Sequence, residues 1–371
     1  MWWSRALAVA AALCLGTLAA GDEAEPARRE AHAAKVEHPP IIDGNVHDEI
    51  WDRAEVLTGF VQAEPLEGEP ATERTEVRIL YDDHAIYVGV ICFDDDPADI
   101  VVTDSRRDSG LLEMDSFQIV FDTYKDRQNG FVFGTNPAGI EYDGQVSKEG
   151  GGGQTSSRRS QSGSGGGFNL NWDASFTVRA QVTEIGWMAE FAIPLRTLRY
   201  GSSPPQIWGV NFERNIRRKR EEVYWSPVSR IHNLYRLSSA GDLSGLELET
   251  PRNFKVVPYA LSSANRDFAA IEASELDAQV GVDAKFGVTP ALNLDVTVNT
   301  DFAQVEVDDQ RINLTRFNLF FPEKRPFFLE NAGTFSMGTG DFAGRTLELF
   351  FSRRIGIGPS GDLYRYATAR G

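Results

Sequence analysis

Cysteine is nearly absent: two occur in 371 residues, Cys14 and Cys92. Cys14 lies in the first segment, where a short basic start (Met1 to Arg5) precedes the apolar run ALAVAAALCLGTL at 6–18. With the small residues Ala19, Ala20 and Gly21 following, residues 1–20 read as a secretory signal peptide cleaved near Ala20. The run is too short for a spanning helix. Cys92 is then the one thiol of the exported chain, which excludes an intramolecular disulfide. Its setting in IYVGVICF predicts a buried, inert group.

Positive charge is also in short supply. Lys and Arg number 37 against 54 Asp and Glu, a net charge of −17, which argues against nucleic acid as a partner. Long apolar runs are missing after the leader, and a mean hydropathy of −0.30 excludes a helical membrane bundle. It does not exclude a membrane β-barrel, whose alternating strands average out as polar. Catalytic motifs are lacking too: there is no HExxH, G-x-S-x-G, Walker loop or CxxC. The histidines (His32, His38, His47, His84, His232) stand singly in polar surroundings, which gives no support to a zinc site or a His-based triad. A literal G-x-G-x-x-G at Gly356, Gly358 and Gly361 runs into Asp362-Leu363-Tyr364 without a helix, so it reads as a turn.

What the chain has in quantity is strand grammar. Residues 21–38 are charged and Ala-rich with no apolar face, and read as a linker. From there VRILYDD (77–83), AIYVGVICF (85–93), SFQIVFD (116–122), NGFVFGTN (129–136) and GIEYDGQV (139–146) follow one another with turn residues between. ASFTVRAQVT (174–183), WMAEFAIP (187–194), IWGVNFERNI (207–216), VYWSPV (223–228) and SGLELE (244–249) complete the set. Short strands at regular spacing predict an antiparallel β-sandwich over residues 39–250. The Gly/Ser-rich stretch 149–167 reads as a flexible insertion, because ordering it costs backbone entropy for little burial. After Pro251 the alternation lengthens. Residues 277–288 and 292–299 place Ala, Val, Leu and Phe on one face and mostly polar residues on the other, and 345–354 offers a third such strand. Ten to twelve residues of period two suit a tilted membrane strand, and equally a second soluble sandwich.

IIDGNVHDEIWDRAE (41–55) resembles the opening of the family 9 carbohydrate-binding modules, with Asp43, Gly44, Asp48, Glu49 and Trp51 at the matching positions. VRILYDDHAIYVGVICFDDD, MDSFQIVFDTYKD and GWMAEFAIPLRTL fit the same pattern over residues 40–250. NTDFAQVEVDDQRINLTRFNLFFPEKRPFFLENAGTF (299–335) and LFFSRRIG (349–356) are similar to an uncharacterised outer-membrane domain of Gram-negative bacteria that often follows such a module. The resemblance implies an all-β chain. An N-terminal antiparallel sandwich is followed over 251–371 by long antiparallel strands that begin an outer-membrane β-barrel, too few to close it. It also implies glycan as partner, polysaccharide capture or carbohydrate catabolism as role, and the cell outer membrane or its periplasmic face as location.

A sugar site needs aromatic platforms and a few fixed polar groups. Trp51, Trp187 and Trp208 fall in the signature or on strand faces among apolar neighbours and read as core. Trp172, in Asn169-Leu170-Asn171-Trp172-Asp173, and Trp225, at a strand end before Ser226-Pro227, are the candidate rings. Arg107, in the loop DSRRDSGLLEMD (104–115), is the candidate cation, on the family's use of an arginine near this location. Asn136, at the end of FVFGTN, is the candidate amide. The family also carries structural calcium, for which Asp94-Asp95-Asp96 supply oxygen, although adjacent loop acids are more often simply solvated; no metal ligand is assigned. Two other readings stay open: a periplasmic or plug-like domain that gates or assembles a barrel without binding sugar, and a glycoside hydrolase whose two carboxylates the sequence does not single out.

Overall fold

Alternation along the first half of the chain folds into two facing sheets. The computed structural model describes residues 28–150, 167–170, 172–201 and 204–248, and the strand segments 254–265, 275–289, 292–298, 336–337, 347–348 and 367–370. The expected signal peptide, most of the Gly/Ser-rich insertion, the FFPEKRPFFLE run and the Gly356–Gly361 motif lie outside the described residues.

In chain order the strands of the first part are β1 (Glu30–His32), β2 (Ala34–Lys35), β3 (Val61–Glu64), β4 (Thr75–Tyr81), β5 (Ala85–Phe93), β6 (Ser116–Asp122) and β7 (Gly130–Thr135). They continue with β8 (Tyr142–Val146), β9 (Phe168–Asn169), β10 (Thr177–Thr183), β11 (Gly186–Pro194), β12 (Gln206–Ile216), β13 (Glu221–Tyr224) and β14 (Gly241–Leu246). One sheet runs β1-β14-β12-β6-β7-β8-β9, with β13 and β3 extending from β12; the other runs β10-β11-β5-β4-β2. Between them lie Phe117, Phe133, Trp208 and Phe212 from the first sheet and Val88, Val90, Trp187 and Phe191 from the second. Phe117 and Phe191 meet across the interface at 6.3 Å between ring centroids. Trp51, Trp187 and Trp208 are buried as expected, and so is Cys92, whose thiol burial pushes up to about 12.

The linker expectation for 21–38 needs correcting over its second half. β1 pairs in parallel with β14 of one sheet and β2 in parallel with β4 of the other, so residues 30–35 cross from sheet to sheet and tie the two together. Backbone pairing at a sheet edge needs no apolar periodicity, which is why these residues read as featureless. The hydrogen bonds are still made, from Ala33 N–H to Ser244 O at 3.0 Å and from Val36 N–H to Tyr81 O at 2.9 Å.

The opening signature is explained by one buried carboxylate. Glu190 of β11 accepts hydrogen bonds from Trp51 Nε1 at 2.7 Å, Gly44 N at 2.7 Å and Asp43 N at 2.9 Å. Opposite Glu190 in the sheet stands Gly89, where a Cβ would come within 3.1 Å of the Trp51 ring. Gly44 takes φ +95 hard against the backbone of Ala180, a placement that other residues resist. The Asp-Gly and Trp of the signature therefore lock residues 43–51 onto the second sheet.

The later strands are β15 (Phe254–Asn265), β16 (Glu275–Thr289), β17 (Leu292–Val298), β18 (Ser336–Met337), β19 (Leu347–Glu348) and β20 (Ala367–Arg370). β15-β16-β17-β20 form an antiparallel sheet, and β18 pairs with β19. No closed barrel is seen among the described residues. At several positions of β16 and β17 apolar side chains are exposed while polar ones are buried, although on β15 Val256 and Val257 are both exposed. Val280 is 69% and Phe286 51% exposed, whereas Thr297 is 0% exposed and donates its hydroxyl to Asp283.

Candidate functional site

Loop 104–115 leads into β6 and is held in shape by amides that reach its backbone. Asn136, just past β7, donates from Nδ2 to Asp104 O at 2.9 Å and to Met114 Sδ at 3.0 Å, while its Oδ1 accepts from Ala138 N at 2.9 Å. Asn215 of β12 donates to Leu112 O at 3.0 Å and Met114 O at 2.7 Å. Asp115 closes the base of the loop by accepting from Val101 N at 2.8 Å. Each bond satisfies a carbonyl or amide that an irregular segment otherwise leaves unpaired.

Arg107 projects from this loop into a ring of acids. Its guanidinium meets Glu141 at 2.8 Å, Asp143 at 2.6 Å, Asp173 at 2.5 Å and Asp108 at 3.4 Å, and donates to Ala174 O at 3.3 Å. Burial works against its charge, but Asp143, Asp173 and Asp108 outweigh that and raise its pKa. Asp143, on β8, is the buried member of the ring, and its second oxygen accepts from Ala174 N at 2.6 Å. Burial pushes its carboxyl up to about 7 against the pull of the Ala174 amide and Arg107, and the negative charges of Asp108 and Asp173 add to the rise. Burial likewise raises Asp108.

Beside this cluster stands Trp172. The indole is half-buried and rests on Phe131 at 5.1 Å and on Phe133, edge-on, at 6.1 Å between ring centroids. Its neighbour Asp173 is the Arg107 partner, so a ring and a cation proposed separately from the sequence are brought together. The Glu141 and Asp173 side chains that pair with Arg107 stay partly exposed to solvent.

Two of the four expected site residues are placed elsewhere or otherwise used. Trp225 is 3% exposed, set edge-on against Phe212 at 5.7 Å and beside Gly241. β13 ends at Tyr224, but the chain still follows β12, with Trp225 N–H donating to Phe212 O at 3.0 Å, and this turns the indole inward. Trp225 is a core residue and has no face for a ligand. Asn136 is fully buried with both ends of its amide engaged, so it anchors the loop and offers nothing to a sugar hydroxyl. Sequence reasoning missed Asp143, Glu141 and Asn215. A charged residue inside the strand run GIEYDGQV was the available signal for Asp143, since buried acids require partners.

The acids offered for calcium do not fit that role. Asp94 Oδ1 accepts from Asp96 N at 2.8 Å and pairs with Arg218, and Glu73 beside it takes Lys219 at 2.5 Å. Asp94 thus belongs to an ion network at the ends of β5 and β12. Among the described residues no group of three or more His, Cys, Asp or Glu is arranged to hold a metal ion.

Residues 42–223 match the family described as carbohydrate family 9 binding domain-like, and residues 250–369 match a domain of unknown function, DUF5916. The first part of the chain is thus similar in sequence to the family 9 carbohydrate-binding domains over residues 42–223, and it is an all-β sandwich by structure. A family 9 carbohydrate-binding module from Caldicellulosiruptor kristjanssonii in complex with cellotriose is similar at 16% identity and a TM-score of 0.40, covering 60% of this chain and 94% of that one. The same organism's module in complex with glucose aligns at 17% identity and a TM-score of 0.40, covering 60% and 96%. A Bacteroides uniformis protein aligns at 14% identity and a TM-score of 0.45, covering 60% and 100%. No curated protein matches the chain.

Proposed function

We propose that the sandwich holds a glycan noncovalently at one end, with the open face of Trp172 as the sugar platform and the Arg107 cluster as the partner of its hydroxyls. The observation that carries this is the pairing of a rigidly backed indole with a fixed polar cluster through adjacent residues, Trp172 on Phe131 and Phe133 and Asp173 on Arg107. Sugars present apolar C–H faces ringed by hydroxyls, and such a pairing satisfies both at once. The family match of residues 42–223 supports the same reading. Glycan-array binding by the full chain tests it. Trp172→Ala is expected to lose about 1 kcal/mol or more, at least about fivefold in affinity. Trp172→Phe, which keeps a flat ring, retains most of it. Array binding unchanged in Trp172→Ala overturns the site. Capture of envelope proteins with no glycan bound favours a gating or assembly role instead.

The strands beyond residue 254 are proposed as wall segments of an outer-membrane barrel, which places the sandwich at the cell envelope for polysaccharide capture. Support comes from the inverted exposure of β16 and β17, whose apolar side chains Val280, Phe286, Leu294 and Val298 face outward while Asp295 and Thr297 are buried. β16 spans 15 residues, enough to cross a hydrocarbon core when tilted. A leader at residues 1–20 supports export.

A further inference from the structure

We propose that Asp143 is the positioning residue of this glycan site: ionised, it clamps Arg107 and the Trp172 segment together, and protonated, it lets them part. The proposal rests on the glycan reading above and deepens it by naming how the site is held and released. Asp143 is the one group in the cluster that touches both sides. Oδ1 takes the Arg107 guanidinium at 2.6 Å, and Oδ2 takes the backbone N–H of Ala174 at 2.6 Å, two residues from the indole. Loop 104–115 and segment 172–176 come from distant parts of the sequence, and apart from Asp143 it is Arg107 itself that joins them, through Asp173 and Ala174 O.

Among the described residues, the charged groups facing Asp143 are Arg107 and Asp108 from loop 104–115, Asp173 from the segment before β10, and Glu141 just before its own strand. One cation thus faces four carboxylates. Among the described residues, β7 sets Phe133 directly opposite Asp143, and β9 pairs further along β8, at Gln145 and Val146. Protonating Asp143 removes its charge-assisted bond to Arg107 and weakens the acceptor for Ala174 N–H. The guanidinium is then left to the more exposed Asp173 and Glu141, whose ion pairs hold weakly against solvent. Because burial raises the Asp143 carboxyl to about 7, this exchange falls within the range an envelope protein meets. If the ionised form alone is competent, the apparent Kd rises about tenfold one pH unit below that midpoint.

The test uses the full chain and needs no ligand for its first arm. The fluorescence of Trp172, taken as the difference between wild type and Trp172→Phe, is followed from pH 5.5 to 8.5. A transition centred near about 7 is expected, abolished in Asp143→Asn and kept in Asp173→Asn, which removes an exposed partner and leaves the clamp. The second arm compares glycan-array binding at pH 8 and pH 6. Wild type is expected to weaken about tenfold, and Asp143→Asn to change less than about twofold. A flat Trp172 signal in wild type, or a transition that survives in Asp143→Asn, overturns the clamp. Binding at pH 8 that depends on Trp172 but not on pH keeps the glycan site and overturns the clamp alone. Absence of array binding at pH 8 overturns the glycan reading, and with it the role assigned to Asp143.

Discussion

Two tryptophans that look alike in the sequence have opposite fates, and the difference is measurable. Trp225 fills the core between β12 and Gly241, so Trp225→Ala is expected to cost about 3–5 kcal/mol of stability in urea unfolding, the range for deleting a large buried ring. Trp172 is only half-buried against Phe131 and Phe133, so Trp172→Ala is expected to cost much less stability and, on the proposed function, to act on glycan affinity. Asp143 gives a pH signature of definite sign. Its folded value, about 7, lies above its unfolded one near about 4, so the folded protein binds that proton more tightly. The stabilisation from this group is complete below about 4 and declines as pH rises through about 7. Asp122, at the end of β6, which burial raises to about 6, contributes with the same sign. Thermal unfolding between pH 4 and 8 is therefore predicted to show stability falling as pH rises, with the slope reduced in Asp143→Asn. An ionised Asp143 is held against the preference of the fold, as is common where a charge serves a site.

Among the elements, the lock of residues 43–51 onto β11 depends on a single side chain. Glu190→Ala leaves the Trp51 indole N–H and two backbone amides unpaired in the interior, a loss of about 3 kcal/mol or more at about 1–3 kcal/mol each. Glu190→Gln keeps one acceptor oxygen and is expected to lose less, and urea midpoints separate the two. The strands themselves were legible: 85–93, 116–122 and 292–299 lie within a residue of β5, β6 and β17, because β-branched and aromatic runs mark the buried strands β5 and β6 and strict alternation marks β17. β1 and β2 were not, since parallel edge pairing is written in backbone hydrogen bonds that side-chain periodicity does not record. β3 was missed for a related reason: Val-Gln-Ala-Glu is short, carries little β-branching and pairs with the equally short β13. In the site, Trp172 and Arg107 were readable as residue types outside strand cores. Their meeting was not, because it runs through Asp143 and Asp173, 36 and 66 residues from Arg107 in sequence and brought to it only by the fold. On β16, Val280→Lys places a charge on the outward face. A loss of about 2–4 kcal/mol is predicted if that face meets lipid, read as depletion from the outer-membrane fraction. Unchanged partitioning tells against a lipid-facing wall.

For the molecule as a whole, two sheets tied at their edges by residues 30–35 form a rigid frame, against which loop 104–115, β8 and the segment before β10 bring the ring and the ions together. Rigidity matters because a platform that is already ordered loses little entropy when a sugar docks. Net charge, −17 over the chain, adds a constraint on partners: neutral glycans approach freely, whereas polyanions are repelled at low salt. The central claim, that sugar stacks on Trp172 and nowhere in the interior, is tested most directly by fluorine NMR on 5-fluorotryptophan-labelled chain titrated with array glycans. A bound glycan is predicted to move the Trp172 resonance while that of Trp225 stays in place. A Trp172 resonance indifferent to every glycan the chain retains, or a response confined to the buried indoles, contradicts the account.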